Sequence, residues 1–299
     1  MGGQLSSFLA QAEGSGGTEL AVRKVKVKGK EAQNAIETIN ERLPMLAVVE
    51  VKSCKLSKVP NSISQLVKLK SIILEDNKLS VLPSMVTLTD LRELNLSSNK
   101  FSSFPLVVAG LEGLEVLNLS NNQLSEFGKG TEFTRMKSLT SLNLSHNDIE
   151  TFPTSLCAIA NLASLDMSEN KLETLPAEVN ALSSTITMLN YFASCQQIGH
   201  LTGLQNLNLR RNALTALPNQ LGNCHALSSI DVSENQLQQL PASLSALHNS
   251  LTSLSLQHNK LSSLPDEIGN HSKIAGVKNN HSFSPLRHTV PAQVIETAR

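Results

Sequence analysis

The chain has no tryptophan and a single tyrosine, and aromatic residues make up only 3% of its 299 positions. A core without large rings has to be filled by medium-sized aliphatic side chains, and 40% of the residues are apolar. The four cysteines (Cys54, Cys157, Cys195, Cys224) are scattered, with no C-x-x-C pair. That spacing offers no disulfide cap and points to a reducing compartment. Net charge is also missing: 25 Lys and Arg balance 25 Asp and Glu, and the pI is near 7.1. Nucleic acid is therefore disfavoured as the main partner. No apolar run reaches the 18 residues of a spanning helix, and the first residues lack the apolar stretch of a secretory leader. Together these absences predict a soluble, cytoplasmic protein.

Catalytic signatures are missing too. No G-x-x-x-x-G-K-[ST] segment cradles a phosphate. The eight histidines fall on different stretches without metal-ligand spacing. A nucleophile needs a base within reach and a pocket that excludes water, and no segment supplies both. The expectation is no enzyme, no cofactor and no metal.

What the chain has instead is repetition. Its cleanest unit is Leu91-Arg92-Glu93-Leu94-Asn95-Leu96-Ser97-Ser98-Asn99-Lys100-Phe101, followed by Ser-Ser-Phe-Pro. The template is L-x-x-L-x-L-x-x-N-x-L-x-x-L-P, the leucine-rich repeat pattern. The Asn place recurs at Cys54, Asn77, Asn99, Asn122, Asn147, Asn170, Asn212, Asn235 and Asn259, mostly in steps of 22 to 25 residues. Cys54 is a small substitute that can still sit in the turn. Each unit is predicted to give a short strand at x-L-x-L-x, with leucines inward by the period of two and the x residues outward. The Leu-Pro segment turns the chain into a convex return of one or two helical turns. The fold class is therefore α/β: a curved leucine-rich repeat solenoid with a parallel β-sheet on its concave face and short helices or turns on its convex face. The sequons at Asn95, Asn118 and Asn143 are by-products of the repeat, and no glycosylation is expected.

Two irregularities interrupt the count. The step from Asn170 to Asn212 is 42 residues, nearly two periods. Ile186 to Ser194 fits the template with Ser194 in the Asn place, so 186–204 is read as a degenerate tenth unit; the alternative is a 19-residue insertion in a nine-unit solenoid. After Asn122, Phe127-Gly128-Lys129-Gly130 replaces the usual Leu-Pro pair and predicts a bulging convex loop. The resulting layout is a flexible segment over 1–20, a cap over 21–45, repeats over 46–270, and a cap and tail over 271–299.

Outward positions can be listed from the template. The middle units present Asn95, Asn118 and Asn143 beside Ser97, Ser120 and Ser145, all expected exposed. Variety begins further on, where Asp166, Glu169, Phe192, Arg210, Arg211, Asp231 and Glu234 bring charge and one aromatic together. Arg and aromatic residues are enriched at binding hot spots, so these seven form the candidate partner-binding site. The bland reading is that Arg211 simply pairs with Glu234 one unit along, worth about 0–1 kcal/mol.

The amino-terminal arm carries its own signals. Met1-Gly2-Gly3-Gln4-Leu5-Ser6 matches M-G-x-x-x-[ST], which makes Gly2 the candidate myristoylation site. One acyl chain gives marginal attachment, on the order of 10⁴ M⁻¹, so a second signal is needed. Arg23, Lys24, Lys26, Lys28 and Lys30 could supply it at an inner leaflet. The same stretch, with Val22, Val25 and Val27, reads as a capping strand whose edge lysines blunt aggregation. Residues 32–42 read as helical.

The repeats over 45–270 resemble intracellular leucine-rich repeat proteins of the Ras-suppressor and Ras-scaffold type. The resemblance implies a monomer whose concave face binds another protein, such as a small GTPase or a phosphatase. It leaves open a scaffold, in the cytoplasm or peripheral at a membrane, and a regulatory subunit of a phosphatase or ubiquitin ligase complex. It also implies that successive Asn side chains bond to backbone groups of adjacent turns as a ladder.

Overall fold

The computed structural model of the protein describes residues 24–27, 45–128, 132–175, 198 and 201–265. The Gly2 signal, the helix expected at 32–42, Phe192 and the tail lie outside these described residues. Ten strands pair in chain order into one parallel sheet. They are β1 (Lys24–Val27), β2 (Val48–Val51), β3 (Ser71–Ile73), β4 (Glu93–Asn95), β5 (Val116–Asn118), β6 (Ser141–Asn143), β7 (Ser164–Asp166), β8 (Asn206–Asn208), β9 (Ser229–Asp231) and β10 (Ser253–Ser255). β1 runs parallel to β2 with Lys24 opposite Val48, so the predicted capping strand is in place at one edge.

Each strand from β3 onward is a triplet with Leu or Ile at its centre, because the repeat allows three residues before the chain must turn. The central residue of each points inward: Ile72, Leu94, Leu117, Leu142, Leu165, Leu207, Ile230 and Leu254 are buried. In register they stack on one another, Leu94 opposite Leu117 and Leu117 opposite Leu142. A fully buried leucine contributes on the order of 1.5–3 kcal/mol, and identical layers let the same side chain fill every slot.

The return segments carry short 3₁₀ turns, among them Asn61–Gln65, Leu106–Gly110, Thr154–Ala158, Asn219–Asn223 and Ala242–Leu247. A proline precedes each of these five, with φ between −62° and −75°. The ring fixes that angle in advance and forfeits only an N–H the turn does not need. Where Phe127-Gly128 replaces the Leu-Pro pair, aromatics fill the space: Phe104 lies 5.7 Å from Phe127 and 4.9 Å from Phe133, ring centre to ring centre.

The asparagines form the expected ladder. Asn147 donates from Nδ2 to the carbonyls of Leu119 (3.1 Å), Leu144 (2.9 Å) and Ser145 (3.2 Å), while its Oδ1 accepts the Leu124 N–H at 2.9 Å. One side chain thus satisfies backbone groups in two consecutive units, all of them buried away from water. Cys54 replaces the first Asn without these amide donors; its Sγ donates to the Lys52 carbonyl at 3.1 Å, and Asn77 Oδ1 accepts its N–H at 3.2 Å.

One expectation fails at the 42-residue step. β7 pairs directly with β8, Leu165 opposite Leu207. The ladder agrees: Asn212 Nδ2 donates to Met167 O at 3.0 Å, and Leu172 N–H donates to Asn212 Oδ1 at 3.0 Å. No rung is left between them for 186–204, so that stretch is not a tenth stacked unit. Among the described residues the sheet holds nine repeat strands plus the cap. Parallel neighbours each have one hydrogen-bonding edge on a side, and β7 and β8 have spent theirs on each other.

Candidate protein-binding face

The strand triplets place two outward residues per unit on the concave face, on either side of the buried leucine. One row runs Val48, Ser71, Glu93, Val116, Ser141, Ser164, Asn206, Ser229 and Ser253. The template-based expectation missed this row, although strict alternation about the central leucine carries the signal. Its centre holds Val116, which is 39% exposed. The other row runs Glu50, Ile73, Asn95, Asn118, Asn143, Asp166, Asn208, Asp231 and Ser255, and its polar members are half-buried.

The serine row two residues further on is a correction. Ser97, Ser120, Ser145, Ser168 and Ser233 are buried at 5–8% exposure rather than displayed. The preceding Asn or Asp folds over them. Ser97 N–H and Oγ–H both donate to Asn95 Oδ1, at 2.9 and 2.7 Å. Ser168 does the same to Asp166 Oδ1 at 2.9 and 2.6 Å, and Ser233 to Asp231 Oδ1 at 2.9 and 2.6 Å. Half of the expected polar lawn therefore bonds to itself.

The chain next turns through a left-handed residue at every unit. Asp76, Ser98, Asn121, His146, Glu169, Arg211, Glu234 and His258 all have φ of 52–56°. For a residue with a Cβ this costs roughly 1–2 kcal/mol. The turn is held because its N–H still reaches the neighbouring unit: Glu169 N–H donates to Arg210 O at 2.8 Å, and Arg211 N–H to Ser233 O at 3.0 Å. Side chains at this position form a rim along the face.

Four rim and face residues make one ionic chain, with His146 in contact at its end. His146 Nδ1 lies 3.3 Å from Glu169, and Arg211 spans Glu169 at 2.8 Å and Glu234 at 2.6 Å. Arg210 Nε donates to Glu234 Oε1 at 2.9 Å, and its Nη2 also bonds that oxygen. Hydrogen bonds from Arg211 and Arg210 hold the Glu234 carboxyl below the ordinary glutamate range, and those to Glu234 and Glu169 raise Arg211. Of the seven candidate residues, Glu169, Arg210, Arg211 and Glu234 are thus brought together, and the expected Arg211–Glu234 pair is present. Asp166 and Asp231 sit beside them in the central row. Phe192 lies outside the described residues.

At the other end of the face Lys52 pairs with Glu75 at 2.8 Å and Glu50 at 4.0 Å, and the Glu75 hydrogen bond raises the lysine pKa. Counting the outward rows and the rim over β2 to β10, Glu50, Glu75, Asp76, Glu93, Asp166, Glu169, Asp231 and Glu234 face Lys52, Arg210 and Arg211, a formal net of −5. The whole chain is formally neutral.

Elsewhere the described residues hold a groove lined by Leu175, Leu217, Pro218, Leu240 and Pro241, which belong to return segments rather than strands. Burial pushes the Cys224 thiol up to about 12, consistent with a packing role for that side chain. No group of three metal-ligating side chains gathers among the described residues, and no helix there is long and apolar enough to cross a membrane.

Comparison with known proteins follows the same repeat. The profile described as Leucine rich repeat matches residues 112–172 and 202–261, and that described as Leucine Rich repeats (2 copies) matches 89–133. The matches leave out 173–201, the stretch containing the interruption. Ras guanine nucleotide exchange factor V of Dictyostelium discoideum is 28% identical over 213 residues, covering 66% of this chain and 9% of that protein. Keratocan of Bos taurus is 30% identical over 229 residues, covering 72% of this chain and 59% of that protein. The chain thus spans less than two thirds of either. A solved leucine-rich repeat protein of Leptospira interrogans superposes with TM-score 0.64 at 35% identity, over 76% of this chain and 52% of that one. The recurring unit, its stacking of one strand per rung and these matches agree: the chain is a leucine-rich repeat protein.

Proposed function

We propose that this chain is a non-catalytic interaction scaffold that holds a protein partner on its concave face. The observation that carries the reading is the continuous outward sheet surface of β2 to β10, which no other described segment covers. Leucine-rich repeat domains bind protein partners generally, and an open, shallow surface suits a broad contact better than enclosure of a small molecule. The contact is centred on Asp166, Glu169, Arg210, Arg211, Asp231 and Glu234. A signalling partner, such as a small GTPase, fits the resemblance to Ras-scaffold proteins. The match to a stretch of a Ras guanine nucleotide exchange factor also supports it.

The test is affinity capture from cells with wild type and with Arg210→Glu/Arg211→Glu. Each reversal sets a carboxylate against Glu234, so the rim opens and the contact is lost. Unchanged capture removes this patch from the interface. Acylation at Gly2, assisted by Arg23–Lys30, would place the scaffold at an inner leaflet; fractionation of wild type against Gly2→Ala checks it, and equal cytosolic distribution rejects the tether.

A further inference from the structure

The geometry points to a more specific partner: we infer that the concave face docks a protein surface rich in lysine and arginine. This rests on the interaction reading above and adds the chemistry of what is held.

All three cations of the face and rim have carboxylate partners: Lys52 with Glu75 and Glu50, Arg210 with Glu234, Arg211 with Glu234 and Glu169. Each therefore already donates to a carboxylate that offsets its charge locally. The carboxylates outnumber them. Asp166 and Asp231 use one oxygen each on a serine, and neither has a cationic partner among the described residues. Glu93 accepts from Ser71 Oγ at 2.8 Å, and Asp76 has no cationic partner among the described residues, so they extend the excess toward the other end. The surplus on the face is negative although the chain is neutral, and the field it projects selects a cationic counterpart.

Spacing then sets the kind of counterpart. Asp166 and Asp231 stand two rungs apart, through Asn208. At about 4.8 Å per rung that is roughly 10 Å, too far for both carboxylates to bind one metal ion. It does match two cationic side chains about two helical turns apart. Between the charged ends lie the amides of Asn95, Asn118 and Asn143 and the exposed Val116, a patch that supplies donors and one apolar contact without adding charge. A single basic residue would leave most of this surface idle; a broad basic face would use it.

The binding test uses the full chain and two fluorescent alanine-based helical peptides, one with lysine and one with glutamate at every seventh position. The lysine peptide is expected to bind, with affinity falling about tenfold between about 50 and about 200 mM salt. Asp166→Asn/Asp231→Asn should weaken it by about tenfold more, while the glutamate peptide does not bind. These substitutions keep the local turn, because Asn143 already accepts from Ser145 in the same way, and an unchanged melt verifies it. Lysine-peptide binding that survives the double substitution, or equal binding of both peptides, overturns the inference.

A second arm separates this inference from the broader one. Partners are captured from cells with wild type, with Asp166→Asn/Asp231→Asn, and with the bulky neutral Asn118→Tyr/Asn143→Tyr. Loss of the same partner in both variants supports both readings. Loss only with the tyrosines overturns the basic partner and keeps the binding face. Retention in both overturns both.

Discussion

From β4 to β6 the sheet face repeats itself: Asn95, Asn118 and Asn143 stand in one row, with buried serines beside them. From β7 to β9 the same backbone positions carry Asp166, Asn208 and Asp231, and the rim beside them carries Glu169, Arg211 and Glu234. The leucine stack and the Asn ladder beneath are alike in both regions, since Asn147 and Asn235 each bond three carbonyls and one N–H. The stabilising residues and the variable outward residues therefore occupy different rows of the same unit, so the second can vary while the first stay fixed.

The shared ladder gives the largest expected effect. Asn147→Leu removes the donors to three carbonyls and the acceptor of Leu124 N–H, and should cost about 3 kcal/mol in a urea melt. The half-buried Asn212, at the interrupted rung, should lose less on the same change because water reaches its partners. A melt of Asn147→Leu indistinguishable from wild type would falsify the ladder as a stabilising element.

Packing on the return side should respond next. A Cβ on Gly222 would stand 2.4 Å from the Ser243 carbonyl oxygen, where only backbone movement can make room. Gly222→Ala is expected to lower stability by about 1–3 kcal/mol. Gly203, whose Cβ would meet nothing closer than 3.9 Å, is the control that should tolerate alanine.

The two regions should also differ at matched serines. Ser168 Oγ donates to a carboxylate, whereas Ser145 Oγ donates to an amide oxygen. Ser168→Ala should therefore cost about 1.5 kcal/mol and Ser145→Ala about 1 kcal/mol. Equal losses would mean that the charge on Asp166 adds nothing to the local turn.

The smallest effect concerns pH. The folded-state pKa of Glu234 is depressed by Arg211 and Arg210, so its contribution is present above the ordinary glutamate pKa. It is lost as pH falls through the lowered value. Because the group is solvent-exposed the change should be slight: melts of wild type and Glu234→Gln should converge on acidification. A gap that persists well below the ordinary range would exclude the ion pair as its source.

Much of this architecture is legible in the sequence because identity and burial coincide at the leucines and asparagines. Leu94 must be inside whichever partner approaches, and Asn99 has one place to bond. The serine row was misread because alternation gives direction but not coverage; Ser97 points outward and is then roofed by Asn95. The stretch 186–204 imitates a repeat in periodicity, and only pairing between Leu165 and Leu207 distinguishes a rung from an excursion. The ionic chain was half visible. Arg211 and Glu234 share a template position, but the left-handed turn is what aligns Glu169, Arg211 and Glu234 along one edge.

The direct junction of β7 with β8 has a consequence for how the chain collapses. Neighbouring rungs elsewhere are joined by loops of about one period, whereas this pair closes a loop nearly twice as long. Chain-closure entropy grows only logarithmically, so the longer excursion costs about 0.6 kcal/mol, less than the burial of one leucine. A solenoid can thus carry a sizeable foreign segment at a rung boundary and still zip through it, provided the two edges meet. The junction after Leu175 is accordingly a natural splice point, where sequence can be lengthened, exchanged or replaced by another module while the sheet on either side keeps its register.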